Sequence, residues 1–170
     1  MTLENTILSS NLIAPSVQRI LIQQSEISTK ARPGQFVLVR AHERGERIPL
    51  TIVDADAVKG AITLIVQQVG KSTRLLCALK PGELLPDILG PLGTPTEIKH
   101  YGRVLVIGGG VGTAVAFPVA KALSQAGNRL VGMIGARSRE LIILESELRE
   151  ICSEVWITTD DGSAGFHGNT

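Results

Sequence analysis

In VIGGGVGTA, residues 106 to 114, four glycines fall where an apolar run gives way to a helical pattern. Glycines at such a junction let the main chain approach a pyrophosphate, and the free amides and dipole of a helix start favour an anion. The residues expected to face a ligand are Gly108, Gly109, Gly110, Val111, Gly112 and Thr113. Pro118 is harmless only in a first turn, which places the helix start near 115 to 117, or a kink there, and leaves amides 109 to 114 free. Read as GxGxxG from Gly108, the motif has Thr113 in place of its third glycine. The acid expected after the second strand is replaced by Ala136, Arg137 and Ser138. A standard NAD fingerprint therefore fails on two counts. A guanidinium at that place suits a 2′-phosphate better than a bare hydroxyl, which leans towards NADP. A glycine-rich turn that only packs tightly remains the alternative reading.

Three further stretches carry polar groups at telling places. TTDDGSAG, 158 to 165, puts Asp160, Asp161 and Gly162 behind a third strand, on the rim where open α/β sheets bind ligands. Two adjacent carboxylates without a third ligand do not make a metal site, and no metal is expected there. RIPLTI, 47 to 52, reads as a strand with a proline at its centre, flanked by Arg47 and Thr51. Proline donates nothing to a ladder, so the strand belongs at an edge. GKSTR, 70 to 74, opens a helix and adds a second anion-favouring element in the same half of the chain.

These residues need two kinds of scaffold. Up to residue 98, short β-type runs alternate with turn chemistry: TILSSNLIA, VQRILIQQ, GQFVLVRA, IPLTIVDA and AITLIVQQV. Strands at this spacing suggest a barrel or sandwich. A helix is expected over 72 to 80, capped by Ser72, with Leu75, Leu76 and Leu79 on one face. From residue 99 the pattern becomes βαβαβ: RVLVIG, a helix to Ala126-Gly127, RLVGMIGA, a helix near 144 to 151, and EVWITT. Unbroken apolar runs are what parallel strands covered on both faces require, so this part reads as half of a doubly wound sheet whose first strand is an exposed edge.

Composition narrows the function. The 170 residues carry a formal net charge of +1 from 17 basic and 16 acidic side chains, with no block of one sign to serve nucleic acid. Aromatics make up 3% and glycines number 18, so binding surfaces should be built from main chain more than from stacked rings, which favours phosphate ligands. The two cysteines, Cys77 and Cys152, exclude a four-cysteine cluster within these residues and fit core thiols of a reduced, cytoplasmic protein. The run 104 to 120 approaches the length of a membrane span, but its four glycines and proline fit a buried strand leading into a helix better. The first residues lack the basic and apolar regions of a signal peptide.

PGQFV (33 to 37), RIPLTI, IVQQVGKST (65 to 73), LGPLG (89 to 93) and VIGGGVGTA together resemble, in order and spacing, the ferredoxin–NADP reductase superfamily. The nearest resemblance is to its microbial electron-transfer subunits, of the NADH-dependent ferredoxin:NADP oxidoreductase and dihydroorotate dehydrogenase B types. The resemblance implies a two-domain protein: an antiparallel, Greek-key-type FAD-binding β-barrel over 1–98, then an NAD(P)-binding α/β domain over 99–170, incomplete at its C-terminus. It implies that Ile48, Pro49, Leu50 and Thr51 line the flavin, with the Thr51 hydroxyl near N5 as the catalytic contact. It further implies that Ile65, Val66 and Gln67 touch FAD through main chain and that Gly70, Lys71, Ser72 and Thr73 cradle its pyrophosphate.

Two departures qualify the match. In the family's RxYS pattern the arginine and aromatic positions fall on Ile48 and Leu50, with the arginine displaced to Arg47. The cysteines that bind a [2Fe–2S] centre in these subunits are absent, as though the chain stops ahead of them. The implied function is a flavoprotein oxidoreductase subunit that moves electrons between NAD(P)H and FAD and on to a larger catalytic subunit or an iron–sulfur carrier. A non-catalytic, nucleotide-binding regulatory module with the same fold is the rival reading.

Overall fold

A computed structural model describes residues 3–168. The chain forms two compact units that divide between Pro95 and Thr96.

The first unit opens with a hairpin of β1 (Ile7–Ala14) and β2 (Val17–Gln23), followed by α1 (Ser25–Lys30), β3 (Phe36–Arg40), β4 (Ile48–Thr51), β5 (Asp54–Asp56), β6 (Ala61–Gln67), α2 (Lys71–Ala78) and β7 (Asp87–Leu92). Every strand pairing is antiparallel, in two sheets ordered β1-β2-β6-β5 and β4-β3-β7. Alternation along the strands sends Ile20, Ile22, Val37, Val39, Ile62 and Leu64 into one core shared by both sheets, all of them fully buried. This is the expected barrel-type architecture.

The run IPLTIVDA, expected as one strand, is two. The Ile52 amide donates to the Gln35 carbonyl of the second sheet at 3.1 Å, and the next amide, Val53, donates to Thr63 of the first sheet at 2.9 Å. Both side chains are buried at this corner, so the apolar run is continuous in sequence while the ladder changes partner. The helix expected at 72 to 80 spans Lys71–Ala78 and is capped at Gly70 instead of Ser72. Leu75 departs from the expected shared face: it is 39% exposed, whereas Leu76 and Cys77 are buried. Strand β7 escapes a reading by pattern because Gly90-Pro91 looks like a loop. The glycine is there because a Cβ would stand 2.7 Å from Val37 Cγ1.

The second unit runs β8 (Arg103–Gly109), α3 (Gly112–Gln125), β9 (Arg129–Ala136), a 3-10 turn at Arg139–Leu141, α4 (Glu145–Ile151), β10 (Glu154–Thr159) and β11 (Phe166–His167). The sheet is wholly parallel, ordered β11-β10-β9-β8, so β8 is the expected edge and β11 adds a short fourth strand. Both helices pack on one face, over Leu130, Ile134, Val155 and Ile157. The other face carries Leu105, Ile107 and Trp156, each 46% to 57% exposed. Just past the end of helix α3, Gly127 with its φ of +81° closes the last turn. Among the described residues no helix is long and apolar enough to cross a membrane.

Candidate functional site

In the first unit the open edge of β4 answers the question of its proline. Because the Ile52 amide points at β3, counting back by two turns the main-chain groups of Leu50 and Ile48 to β3 and those of Thr51 and Pro49 to the open side. Pro49 therefore sits where no ladder bond is lost, and the N–H and C=O of Thr51 are left for a ligand. Side chains alternate as well. Ile48 and Leu50 pack against the core and spend their main-chain groups on the ladder to β3, so neither offers a polar group to a ligand, while Thr51 and Pro49 lie on the outer face beside Phe36 and Leu38. Gln35 anchors this end of the sheet: its carbonyl takes the Ile52 amide and its Nε2 donates to the Gly93 carbonyl at 2.9 Å.

Arg47 does not stand free. Its Nε donates to Asp87 Oδ2 at 2.6 Å, and Arg40 Nη2 approaches the same oxygen at 3.8 Å. Asp87 was not singled out by sequence reasoning. Its partner is forty residues away, and only the register of three strands brings them together.

The other side of the candidate flavin site is β6 and the start of α2. Ile65 and Val66 bury their side chains, and β5 pairs with β6 only as far as Thr63. Counting from the Gln68 amide, which donates to Ser16, Val66 turns its main-chain groups to β2, while Ile65 and the amide of Gln67 face the edge away from β2 and are open for main-chain contact among the described residues. At Gly70 a Cβ would meet nothing within 4 Å. Thr73 Oγ1 accepts from the amides of Val69 and Gly70 at 3.1 and 3.0 Å and donates to the Gly70 carbonyl, which fixes the loop. The first-turn amides of Lys71 and Ser72 remain without helical partners, as every helix start requires. Neither the Ser72 hydroxyl nor the Lys71 ammonium has a partner among the described residues.

In the second unit the glycine turn follows β8. Helix α3 begins at Gly112, earlier than expected from Pro118, which lies inside it and removes only the bond to the Ala114 carbonyl. The expectation that amides 109 to 114 are all free is corrected by the turn's own bonds. Gly110 donates to Gly135 at 2.7 Å, Thr113 to Gly110 and Ala114 to Val111. Val111 and Gly112 keep the amides at the helix start. A Cβ on Gly110 or Gly112 would meet nothing within 4 Å, whereas one on Gly108 would stand 2.6 Å from Thr113 Cα. Thr113 is 1% exposed, so its side chain serves helix–strand packing and is not open to a ligand.

The rim beyond β9 and β10 is laced by main chain: Asp160 donates to Ala136 and Asp161 to Arg137. The Ser163 hydroxyl and amide both donate to Asp161 Oδ1, at 2.6 and 2.9 Å, and hold that carboxyl below the usual range. Ser163 also accepts from the Arg139 amide, tying the two loops. Asp161 is thus occupied within its own loop, and Gly162 turns it with φ +71°. The Arg137 guanidinium has no partner among the described residues, and Ser138 precedes the 3-10 turn. Among the described residues no three His, Cys, Asp or Glu side chains gather to hold a metal.

No family model matches the chain. It is 47% identical over 96% of its length to the dihydroorotate dehydrogenase B (NAD(+)) electron-transfer subunit homolog of Thermotoga maritima, covering 58% of that protein. Against the dihydroorotate dehydrogenase B (NAD(+)) electron-transfer subunit of Bacillus caldolyticus it is 34% identical over 96% of its length, covering 65%. Among solved structures it matches the NADH-dependent reduced ferredoxin–NADP oxidoreductase, described in work on flavin-based electron bifurcation. There the TM-score is 0.93 at 45% identity, over 99% of this chain and 60% of that one. The chain thus spans about three fifths of the length of the relatives it matches. With its antiparallel barrel followed by a parallel α/β unit, the chain is a homologue of the electron-transfer subunits of dihydroorotate dehydrogenase B and of NADH-dependent ferredoxin–NADP oxidoreductase, and has a ferredoxin reductase-like fold.

Proposed function

We propose that the first unit binds FAD and the second a nicotinamide dinucleotide, and that the chain works as the flavin-reducing part of an electron-transfer subunit. The carrying observation is the open edge of β4: an outward Thr51 and a proline that costs no ladder bond, in a chain that superposes closely on a reductase. The residues present fit a flavin nucleotide. Pro49 and Thr51, held in place by the inward Ile48 and Leu50, offer an edge for the ring, and Ile65 and Gln67, on either side of Val66, offer main chain. Gly70, Lys71, Ser72 and Thr73 offer amides, an ammonium and a clear space where a Cβ would stand.

FAD, when bound, supplies a two-electron acceptor that can release its electrons one at a time. The chain's own work is to bind and orient. Thr51, on the outer face of β4, would offer its hydroxyl to the reacting edge of the flavin ring. Arg47, Lys71 and the first-turn amides of α2 carry the pyrophosphate. In the second unit Gly109, Gly110, Val111 and Gly112 let the dinucleotide pyrophosphate approach the start of α3, with Ala136, Arg137, Ser138, Asp160, Asp161 and Gly162 as the rim for its adenosine end. The relatives are named for NAD(+) and NADH, and NADH is the donor proposed here. Arg137, without a partner among the described residues, adds affinity for a 2′-phosphate and so admits NADPH. The electrons leave for an iron–sulfur carrier or a larger catalytic subunit, in a cytoplasmic setting. Cys77 and Cys152, in separate units, do not provide a cluster.

The test is direct. Purified protein should be yellow with FAD and bleach under anaerobic NADH. Protein that stays colourless and takes up neither FAD nor dinucleotide refutes the reading, and flavin that binds but is not reduced points to a regulatory module.

A further inference from the structure

The first unit carries a row of charges that the flavin reading does not by itself explain. Register places Val39 opposite Ile48 and Arg40 opposite Asp87, so the next pair along brings Arg47 beside Arg40 at the same end of the sheet. Two guanidiniums side by side across strands repel each other. One carboxylate relieves them: Asp87 Oδ2 takes Arg47 Nε at 2.6 Å and stands 3.8 Å from Arg40 Nη2. Arg47 reaches across β3 to make this contact. Its side chain is 49% exposed, that of Asp87 26%, and both Nη groups of Arg47 have no partner among the described residues.

Building on the flavin reading, we propose that Asp87 is a positioning residue for the cofactor. By holding Arg47 through Nε, it fixes the guanidinium with its two-Nη edge presented to the FAD pyrophosphate. The chemistry favours this division. A guanidinium has one Nε–H side and one Nη–Nη side, and each forms a two-pronged face for an oxyanion. A carboxylate on the first leaves the second for a phosphate. The row as a whole keeps a net charge of +1, two cations against one anion, so an anion is still attracted. Without Asp87 the two arginines repel, and a half-exposed Arg47 turns into solvent. The arrangement also explains how an arginine one place out of the RxYS register can serve: its position is set from β7, across the sheet, and not by its own strand.

The experiment compares FAD with riboflavin, which has the ring and no phosphate, on the full deflavinated chain. Asp87→Asn should weaken FAD about two- to fivefold, the range of a partly exposed charge contact, and leave riboflavin unchanged. Arg47→Lys, which keeps the charge and lacks the fork, should weaken FAD selectively too. In an Arg47→Ala background Asp87→Asn should add nothing, and Asp87→Glu should recover most of the affinity. An unchanged or tighter FAD affinity in Asp87→Asn overturns the proposal. So does an equal fall for riboflavin, which would mean a general loosening of the edge strand. A wild-type chain that binds neither flavin overturns the flavin reading itself, and is recognised before any variant is made.

Discussion

The glycine turn of the second unit separates packing from binding, and two alanine substitutions test the separation. At Gly108 an added Cβ would meet Thr113 Cα at 2.6 Å, Oγ1 at 2.7 Å and Cβ at 3.0 Å. Rotating the threonine moves Oγ1 away but not Cα, so the strand or the helix start must shift by roughly 1 Å to reach ordinary contact. Overpacking of this kind costs about 1–3 kcal/mol. For a unit of this size each kcal/mol lowers the melting temperature by roughly 4–8 °C. Gly108→Ala should therefore melt well below wild type by calorimetry or circular dichroism. At Gly112 a Cβ meets nothing within 4 Å and the backbone is already helical, so Gly112→Ala should melt at or slightly above wild type. That open space is where the dinucleotide is proposed to approach, and the same variant should lose NADH affinity by titration. A Gly108→Ala protein with wild-type melting refutes the packing argument. A Gly112→Ala protein with wild-type NADH affinity refutes the ligand's approach to this turn.

Thr51→Ala should keep FAD and slow its reduction by NADH about tenfold, near 1.4 kcal/mol of barrier, in stopped flow; an unchanged rate removes the hydroxyl from the chemistry. Leu76, fully buried in the barrel core, should cost about 2–5 kcal/mol as Leu76→Ala in urea unfolding, whereas Leu75→Ala, on the exposed side of the same helix, should cost far less. Burial pushes the Cys77 thiol up to about 11 from 9.0. The folded state then holds its proton to higher pH than the unfolded one, so stability falls as pH rises from about 9 to 11. Cys77→Ala should flatten that part of the pH–stability curve, and an identical slope in the variant sinks the assignment.

Much of the fold is written in local pattern. The continuous apolar runs RVLVIG and RLVGMIGA announce parallel strands, though not the cover expected on both faces, since Leu105 and Ile107 of the first stand more than half exposed; the alternation in VQRILIQQ announces a half-buried strand. What escapes is whatever depends on a distant partner. IPLTIVDA looks like one strand because the change of sheet at Ile52 and Val53 leaves no break in hydrophobicity. DILGPL looks like a loop because its glycine answers to Val37, half a unit away in sequence. Pro118 argues for a late helix start only if no earlier turn is available. Gly110 supplies one, with a φ of +52° and a bond to Gly135. The candidate site divides in the same way: Gly70, Thr73 and the glycine turn are visible as spacing, whereas Asp87 is not. Thr113 stands at the motif's third-glycine position, and only its burial assigns it to packing.

The corner at Ile52 and Val53 also has a mechanical meaning. Two successive amides are riveted to different sheets, so the backbone there is released only when both sheets let go. Thr51 is the residue immediately before the rivet. Its far side faces an open edge, yet its own excursions are limited by the global opening of the unit instead of local fraying. Amide exchange at Ile52 and Val53 should accordingly be among the slowest in the first unit. The hydroxyl proposed to face the flavin is thus mounted beside a joint tied to both sheets, on a strand whose outer side is unpaired among the described residues.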